Sequence, residues 1–208
     1  MEEGKLAVGN SLERQYGTRY LTTEVIRKHA GIRDLSQIKS LDLRFRPEED
    51  RKIRRVEGCL DECIGLEVLN LTGQAIAEIR DINALQVLRH LKELNLSKNK
   101  ISSIDKIASM KNLMSLKMSL NDISRVPSCI KDCSQLRHLD LSCNRINNLE
   151  SVKRIAKIPH LQTLILSGNP ICQLHNYRLF CIYWMPFLFS LDGVAVQWDE
   201  RKMAKDQF

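Results

Sequence analysis

Leu91-Lys92-Glu93-Leu94-Asn95-Leu96-Ser97-Lys98-Asn99-Lys100-Ile101 carries apolar side chains at 91, 94, 96 and 101 and an asparagine at 99. The same spacing returns at Leu136, Leu139, Leu141, Asn144 and Ile146, and again at Leu161, Leu164, Leu166, Asn169 and Ile171. A variant reads Leu113, Leu116, Met118, Asn121 and Ile123. The first apolar residue of each copy sets a register of Ile38, Leu66, Leu91, Leu113, Leu136, Leu161 and Leu188, with spacings of 28, 25, 22, 23, 25 and 27 residues. The alternation at the centre of each copy predicts a short strand with its leucines facing inward. No single copy can bury its own apolar face, so successive copies stack and their strands pair in parallel along the inside of an arc. Each leucine buried this way stabilises the chain by roughly 1.5–3 kcal/mol.

Two more columns support this register. Three residues before it stand Leu35, Cys63, Leu88, Met110, Cys133, Ile158 and Met185; six before it stand Ile32, Leu60, Leu85, Ile107, Ile130, Ile155 and Ile182. All are apolar, and a three-residue separation suits a helical or 3-10 turn packed on the strands. The asparagine after each strand can donate and accept at once. Where the chain leaves the sheet its backbone groups need such a partner. Gln74 and Arg46 hold this position in the second and first copies, where a less regular turn is expected.

This pattern resembles the leucine-rich repeat signature. The resemblance implies an α/β solenoid, right-handed, of about six repeats, with a parallel concave sheet and short convex helices or 3-10 turns. Residues 1–37 are read as a flexible start, through about residue 18, and an N-terminal capping helix, 38–187 as the repeats, and 188–208 as a C-terminal cap. Thr22 is placed as the N-cap of a helix through Ala30, with Gly31 as its stop. The run Arg44-Phe45-Arg46-Pro47-Glu48-Glu49-Asp50-Arg51-Lys52-Ile53-Arg54-Arg55 explains the longest spacing and is read as a solvated loop, with a basic contact surface as the alternative. Asn176 through Pro186 is rich in aromatics, expected to seal the open end of the core, and a polar helix is expected from Asp199.

Only 5% of residues are aromatic, so leucine and isoleucine build most of the core. A net charge of +7 is read first as a solvated surface with a basic bias, with an acidic partner as the alternative. No apolar run reaches a membrane-spanning length. The opening Met1-Glu2-Glu3-Gly4-Lys5 lacks the order of a signal peptide, and seven cysteines spread through the repeats fit a reducing, intracellular setting.

The ending Gly168-Asn169-Pro170, Tyr177-Arg178, Ile182-Tyr183, Pro186, Leu188 and Leu191-Asp192 is similar to the intracellular leucine-rich repeat class with a dedicated C-terminal cap. That class includes phosphatase regulators, axonemal and centrosomal proteins, and the A-prime protein of the spliceosomal U2 particle. Arg19-Tyr20-Leu21-Thr22, Asp34 through Leu43, the charged insertion, and Leu66 through Leu71 resemble the amino-terminal repeat domain of the centriolin family. The similarity extends from about Gly17 to Phe208 and takes in Ile123 through Pro127 and Asp199-Glu200-Arg201. It implies a centrosomal or ciliary protein connected with the mother centriole and the midbody. Centriolin continues into long coiled coils, whereas this sequence stops at Phe208.

Cys59 with Cys63, and Cys129 with Cys133, have a metal-like spacing. The register instead puts Cys63 and Cys133 in an apolar column, so no metal site and no cofactor are expected. His138 beside Asp140 suggests a general base, but it lacks a nucleophile, an oxyanion site and a pocket, so no catalytic residue is assigned and an enzyme is not expected. The concave face remains. A protein partner is expected there on Glu93, Lys98, Lys117, Leu120, His138 and Asp140, with the apolar Leu120 ringed by charge. No membrane, direct nucleic-acid or small-molecule partner is expected. The reading is a non-catalytic interaction module in a cytoplasmic centrosomal, ciliary, cytoskeletal or cytokinetic assembly. A nuclear spliceosomal protein or a phosphatase regulatory subunit is the alternative.

Overall fold

Leucines at every second position organise the molecule. In the computed structural model, which describes residues 18–46, 52–56, 59–78 and 87–208, they build a row of short strands, six of them three residues long, beside a separate pair, Thr18–Leu21 with Lys52–Val56. The strands are β1 (Thr18–Leu21), β2 (Ser40–Asp42), β3 (Lys52–Val56), β4 (Val68–Asn70), β5 (Glu93–Asn95), β6 (Ser115–Lys117), β7 (His138–Asp140), β8 (Thr163–Ile165), β9 (Ser190–Leu191) and β10 (Val194–Ala195). The main sheet runs β2-β4-β5-β6-β7-β8-β9 in parallel, and β10 closes it antiparallel. Leu41, Leu69, Leu94, Leu116, Leu139, Leu164 and Leu191 pair in register across it and are all buried.

The return segments cross behind this sheet as 3-10 turns at Asp105–Ser109 and Ser128–Asp132 and as a short helix at Leu149–Ile155. The column three residues before the register is buried throughout. The column six before is buried at Leu60, Ile107, Ile130, Ile155 and Ile182, while Leu85 lies outside the described residues. Ile32 departs from it and is 40% exposed. It follows the left-handed turn at Gly31, ahead of the first coil, so no earlier coil lies beneath it.

The helices are α1 (Thr23–Ala30), α2 (Leu149–Ile155), α3 (Tyr177–Trp184) and α4 (Trp198–Gln207). The Val25 amide donates to Thr22 Oγ1, and Gly31 ends α1 at φ +68° with its amide bonded to the Arg27 carbonyl. A residue with a Cβ is disfavoured in that left-handed region, so glycine suits the stop.

The charged insertion differs from the expected solvated loop. Part of it, Pro47 through Arg51, lies outside the described residues, as do residues 1–17 of the start read as flexible. Lys52–Val56 is a strand that pairs in parallel with β1, and Ile53 and Val56 are fully buried with Leu21 and Ile26 around them. The Ile53 amide donates to Gln74 Oε1 at 2.7 Å, and the Ala75 amide donates to the Ile53 carbonyl at 2.8 Å. Ile76, Ile101, Ile123 and Ile146 make the corresponding bonds in later coils. The chain therefore rejoins the repeat register at Ile53, and the insertion lengthens the first coil without breaking the core. Thr18 likewise belongs to a strand, which ends the flexible start earlier than expected.

Asn99, Asn121, Asn144 and Asn169 are buried and do the same work in each coil. Asn144 Oδ1 accepts from the Ile123 amide, and its Nδ2 donates to the Met118 and Leu141 carbonyls. Each amide side chain thus ties its own coil to the one before. Gln74 is also buried and makes both bonds to the coil before, accepting from the Ile53 amide and donating to the Leu43 carbonyl, but among the described residues it has no counterpart of the asparagines' bond to a carbonyl of their own coil.

The last coil has no following strand ladder of full length, and its amides are met differently. In the body the Leu96, Met118 and Leu141 amides donate to carbonyls of the next coil. The Leu166 and Ser167 amides instead donate to Asp192 Oδ1, both at 2.7 Å. Tyr177 donates its hydroxyl to Asp192 Oδ2. Arg178 donates to the Leu191 and Ala195 carbonyls and grips Glu200 at 2.5 and 3.0 Å. Tyr177 and Phe180 are buried as expected of sealing aromatics, whereas Tyr183 and Trp184 keep more than a third of their surface exposed. Phe208 packs on Phe180 and Tyr183, with ring centroids 5.5 and 5.7 Å apart.

Candidate protein-binding face

Burial alternates along the central strands, so the residues flanking each inward leucine line the concave face. The register sets Glu93, Ser115, His138 and Thr163 side by side in one row, and Asn95, Lys117, Asp140 and Ile165 in the next. At the usual strand spacing of about 4.8 Å the seven parallel strands give a floor about 30 Å long. Glu93, Lys98 and Lys117 are exposed, and their side chains make no hydrogen bond or ion pair among the described residues.

Lys98 and Leu120 leave the strands through a strained turn. They have φ of +58° and +55°, and Cys143 at the same repeat position has φ +53°. Glycine fills that position at Gly73 and Gly168. A non-glycine residue costs about 1–2 kcal/mol in the left-handed region. Leu120 nevertheless keeps a large apolar side chain there, 48% exposed, with Lys98 at the equivalent position of the coil before.

Asp140 is less available than the sequence suggested. Its Oδ1 accepts from the Ser142 amide at 2.9 Å and the Ser142 hydroxyl at 2.6 Å. Asp42, Asn70 and Asn95 make the equivalent bond to the amide two residues on. Their shared task is to turn the chain out of the strand. Lys117 and Ile165 interrupt that column. The signal was present as an Asp or Asn followed two residues later by Arg44, Thr72, Ser97 and Ser142. His138 is exposed, with Nδ1 2.8 Å from Thr163 Oγ1. Asp140 is thus engaged by Ser142 and His138 by Thr163, and the two do not form an acid–base pair.

The cysteines are all free thiols. Burial pushes the Cys133 thiol up to about 12, with Cys129 and Asp132 adding to the rise, and pushes Cys63 up as well. Such thiols stay protonated and unreactive near neutrality. Among the described residues no three His, Cys, Asp or Glu side chains converge on a metal-sized site, and no helix is long and apolar enough to cross a membrane.

Comparison with known proteins narrows the class. A family profile described as leucine-rich repeat matches residues 93–208. The U2 small nuclear ribonucleoprotein A' of Candida albicans is 31% identical over 150 residues, covering 68% of this chain and 64% of that protein. Dynein axonemal assembly factor 11 of Mus musculus is 34% identical over 150 residues, covering 71% of this chain and 31% of that protein. This chain therefore spans less than two thirds of either relative. A chain in the crystal structure of the Drosophila melanogaster SNF/U2A' complex shares the fold at TM-score 0.61 and 21% identity, over 91% of this chain and 92% of that one. The resemblance to centriolin finds no support among these relatives, whereas the repeat class does. With more than half its length matched by the profile and the same buried asparagines in every later coil, the chain belongs to the leucine-rich repeat family.

Proposed function

We propose that this chain is a non-catalytic protein-binding module whose concave strands seat a helix or loop of a partner. One observation carries the reading: Leu120 is held exposed at a backbone angle that glycine would adopt more cheaply, with the uncompensated Lys98 at the equivalent position of the coil before. Strain kept at a surface apolar residue suits a contact residue, since stability alone favours its removal. A floor about 30 Å long has room for a helix of about 20 residues. Exposed charges of both signs stand on adjacent strands, Glu93 on β5 and Lys117 on β6, so a partner with a matching charge pattern is selected over others.

The assembly is ciliary or centrosomal on this reading, which the likeness to an axonemal assembly factor supports. A nuclear, splicing-associated role is the second reading, and the likeness to U2 A' proteins favours it. Tagging at endogenous level separates the two: signal at cilium, centrosome or midbody supports the first, and signal restricted to nuclear splicing bodies supports the second. For the concave face, a pull-down with Glu93→Lys and Lys117→Glu combined is expected to lose the partner. Retention of every partner by that variant would sink the proposal.

A further inference from the structure

We propose that the outer face of the C-terminal cap is a second docking site, taking an acidic peptide segment that carries a large apolar side chain. Between α3 and α4 lies a groove of about 530 Å³. Ile182, Tyr183, Pro186, Phe187 and Trp198 form its apolar walls. Phe187 is 86% exposed and Trp198 72%, so two large aromatics stand in water at the end of a chain that has few aromatics to spend. Aromatic anchors of this kind dominate the energetics of interfaces once a partner covers them.

Charge selects the occupant. The basic residues on the groove are Arg201, Lys202 and Lys205, and no carboxylate lines it. Arg201 is already committed, donating to the Pro186 and Leu188 carbonyls, and so fixes the loop that carries Phe187. Lys202 and Lys205 make no ion pair or hydrogen bond among the described residues. Of the acids on α4, Glu200 is held by Arg178, and Asp199 and Asp206 make no ion pair with either lysine among the described residues and do not line the groove. An apolar concavity with two free cations on one wall fits an apolar knob flanked by carboxylates. Single-stranded nucleic acid is served by a basic track with successive stacking platforms, whereas the basic residues here all lie on one helix beside a single hollow. The volume lies in the range of about 300–1,000 Å³ typical of small binding sites, enough for one or two large side chains.

The site is separate from the concave face and stands or falls without it. The probe is a random peptide library displayed on phage and selected on the intact chain. Enriched peptides are expected to combine Phe, Trp or Leu with Asp and Glu. A fluorescent copy of one is expected to bind about tenfold or more weakly to the Lys202→Glu, Lys205→Glu double variant, since each reversal replaces an attraction with a repulsion. Phe187→Ala, at a side chain so exposed that its loss leaves the fold intact, is expected to weaken binding similarly. Exchanging the peptide's acids for lysines is expected to restore binding to the double variant, and the concave Glu93→Lys, Lys117→Glu variant is expected to bind as the parent does. The idea is overturned by a library that enriches nothing, or by peptides that ignore both cap changes. It is equally overturned if an oligothymidine strand or phosphatidylserine vesicles bind through these residues in place of the peptide. A dimer in sedimentation that Phe187→Ala dissolves would assign the groove to a second copy of the chain and overturn it too.

Discussion

The interior coils and the last coil meet one geometric demand with different chemistry. Inside, Asn99, Asn121, Asn144 and Asn169 must donate to two carbonyls and accept one amide, which only a carboxamide can do. At the end, the Leu166 and Ser167 amides point toward a coil that is not a full repeat, and only acceptors are missing. A carboxylate supplies them, and Asp192 takes both amides on one oxygen and the Tyr177 hydroxyl on the other. Amides where each strand ends point to the following coil, while those at its start, such as Glu93, Ser115 and His138, donate back to the coil before, so it is past the end of β8 that amides are left for Asp192 to meet. Toward the N-terminal end the strand pair β1 and β3 turns Leu21, Ile53 and Val56 into the core and its charged residues outward, whereas the C-terminal end is closed by an ionic and hydrogen-bonded clasp.

Exchanging the two chemistries tests that account most severely. Asn144→Asp buries a charge against the Met118 and Leu141 carbonyls and is expected to cost about 3–5 kcal/mol in chemical denaturation near neutral pH. That loss should shrink as pH falls, because the buried carboxyl has its pKa raised and regains a donor when protonated. A cost under 1 kcal/mol (about a fivefold change in the folding equilibrium) would mean that the donors matter little. The reverse exchange, Asp192→Asn, keeps one acceptor and tolerates the φ of +54°. It is expected to cost less, about 1–2 kcal/mol, since charge-assisted bonds weaken without leaving every amide unpaired.

Acid separates the regions again. Hydrogen bonding to Arg178 holds the Glu200 carboxyl below its usual range. A carboxylate whose folded pKa is depressed contributes stability above its unfolded value of about 4.3, and loses it as pH falls through the folded value. The cap should therefore lose stability in acid, whereas the asparagine ties themselves carry no charge to lose; Asp42 and Glu67, held below their usual range by Arg44 and Lys92, add a loss of the same sign in the first coils. Glu200→Gln should flatten the acid limb of a stability profile, and an unchanged profile would argue against the clasp. The smallest expected effect has the most functional weight. Leu120→Gly relieves the left-handed strain and is expected to shift stability by less than about 1 kcal/mol, in the stabilising direction, while weakening partner capture. A variant that is destabilised, or that binds as before, would separate Leu120 from the contact role proposed for it.

The body was legible in the sequence because its determinants are periodic. One spacing placed the inward leucines, the asparagines and the core positions of Cys63 and Cys133. The ends were harder to read. Ile53 and Val56 sit in a run of arginines, and their burial depends on pairing with Thr18–Leu21, more than thirty residues away and without a repeat to announce it. Aromatic content marked the cap but not its facing: Phe180 and Phe187 are alike in composition, yet one is buried and the other stands in water. On the concave face, the column at Asp140 looked free because its side chains are polar. Most of those side chains turn the chain, and only Lys117 and Ile165 escape that duty.

Because each buried asparagine bonds only to its own coil and the one before, coils are interchangeable units. Removing or duplicating a segment of 22 or 25 residues between equivalent positions leaves both closures untouched. The length of the recognition floor can then change in steps of about 4.8 Å, one strand at a time. A lineage carrying this ladder can fit a longer or shorter partner by copying a stretch of gene, without inventing a new core.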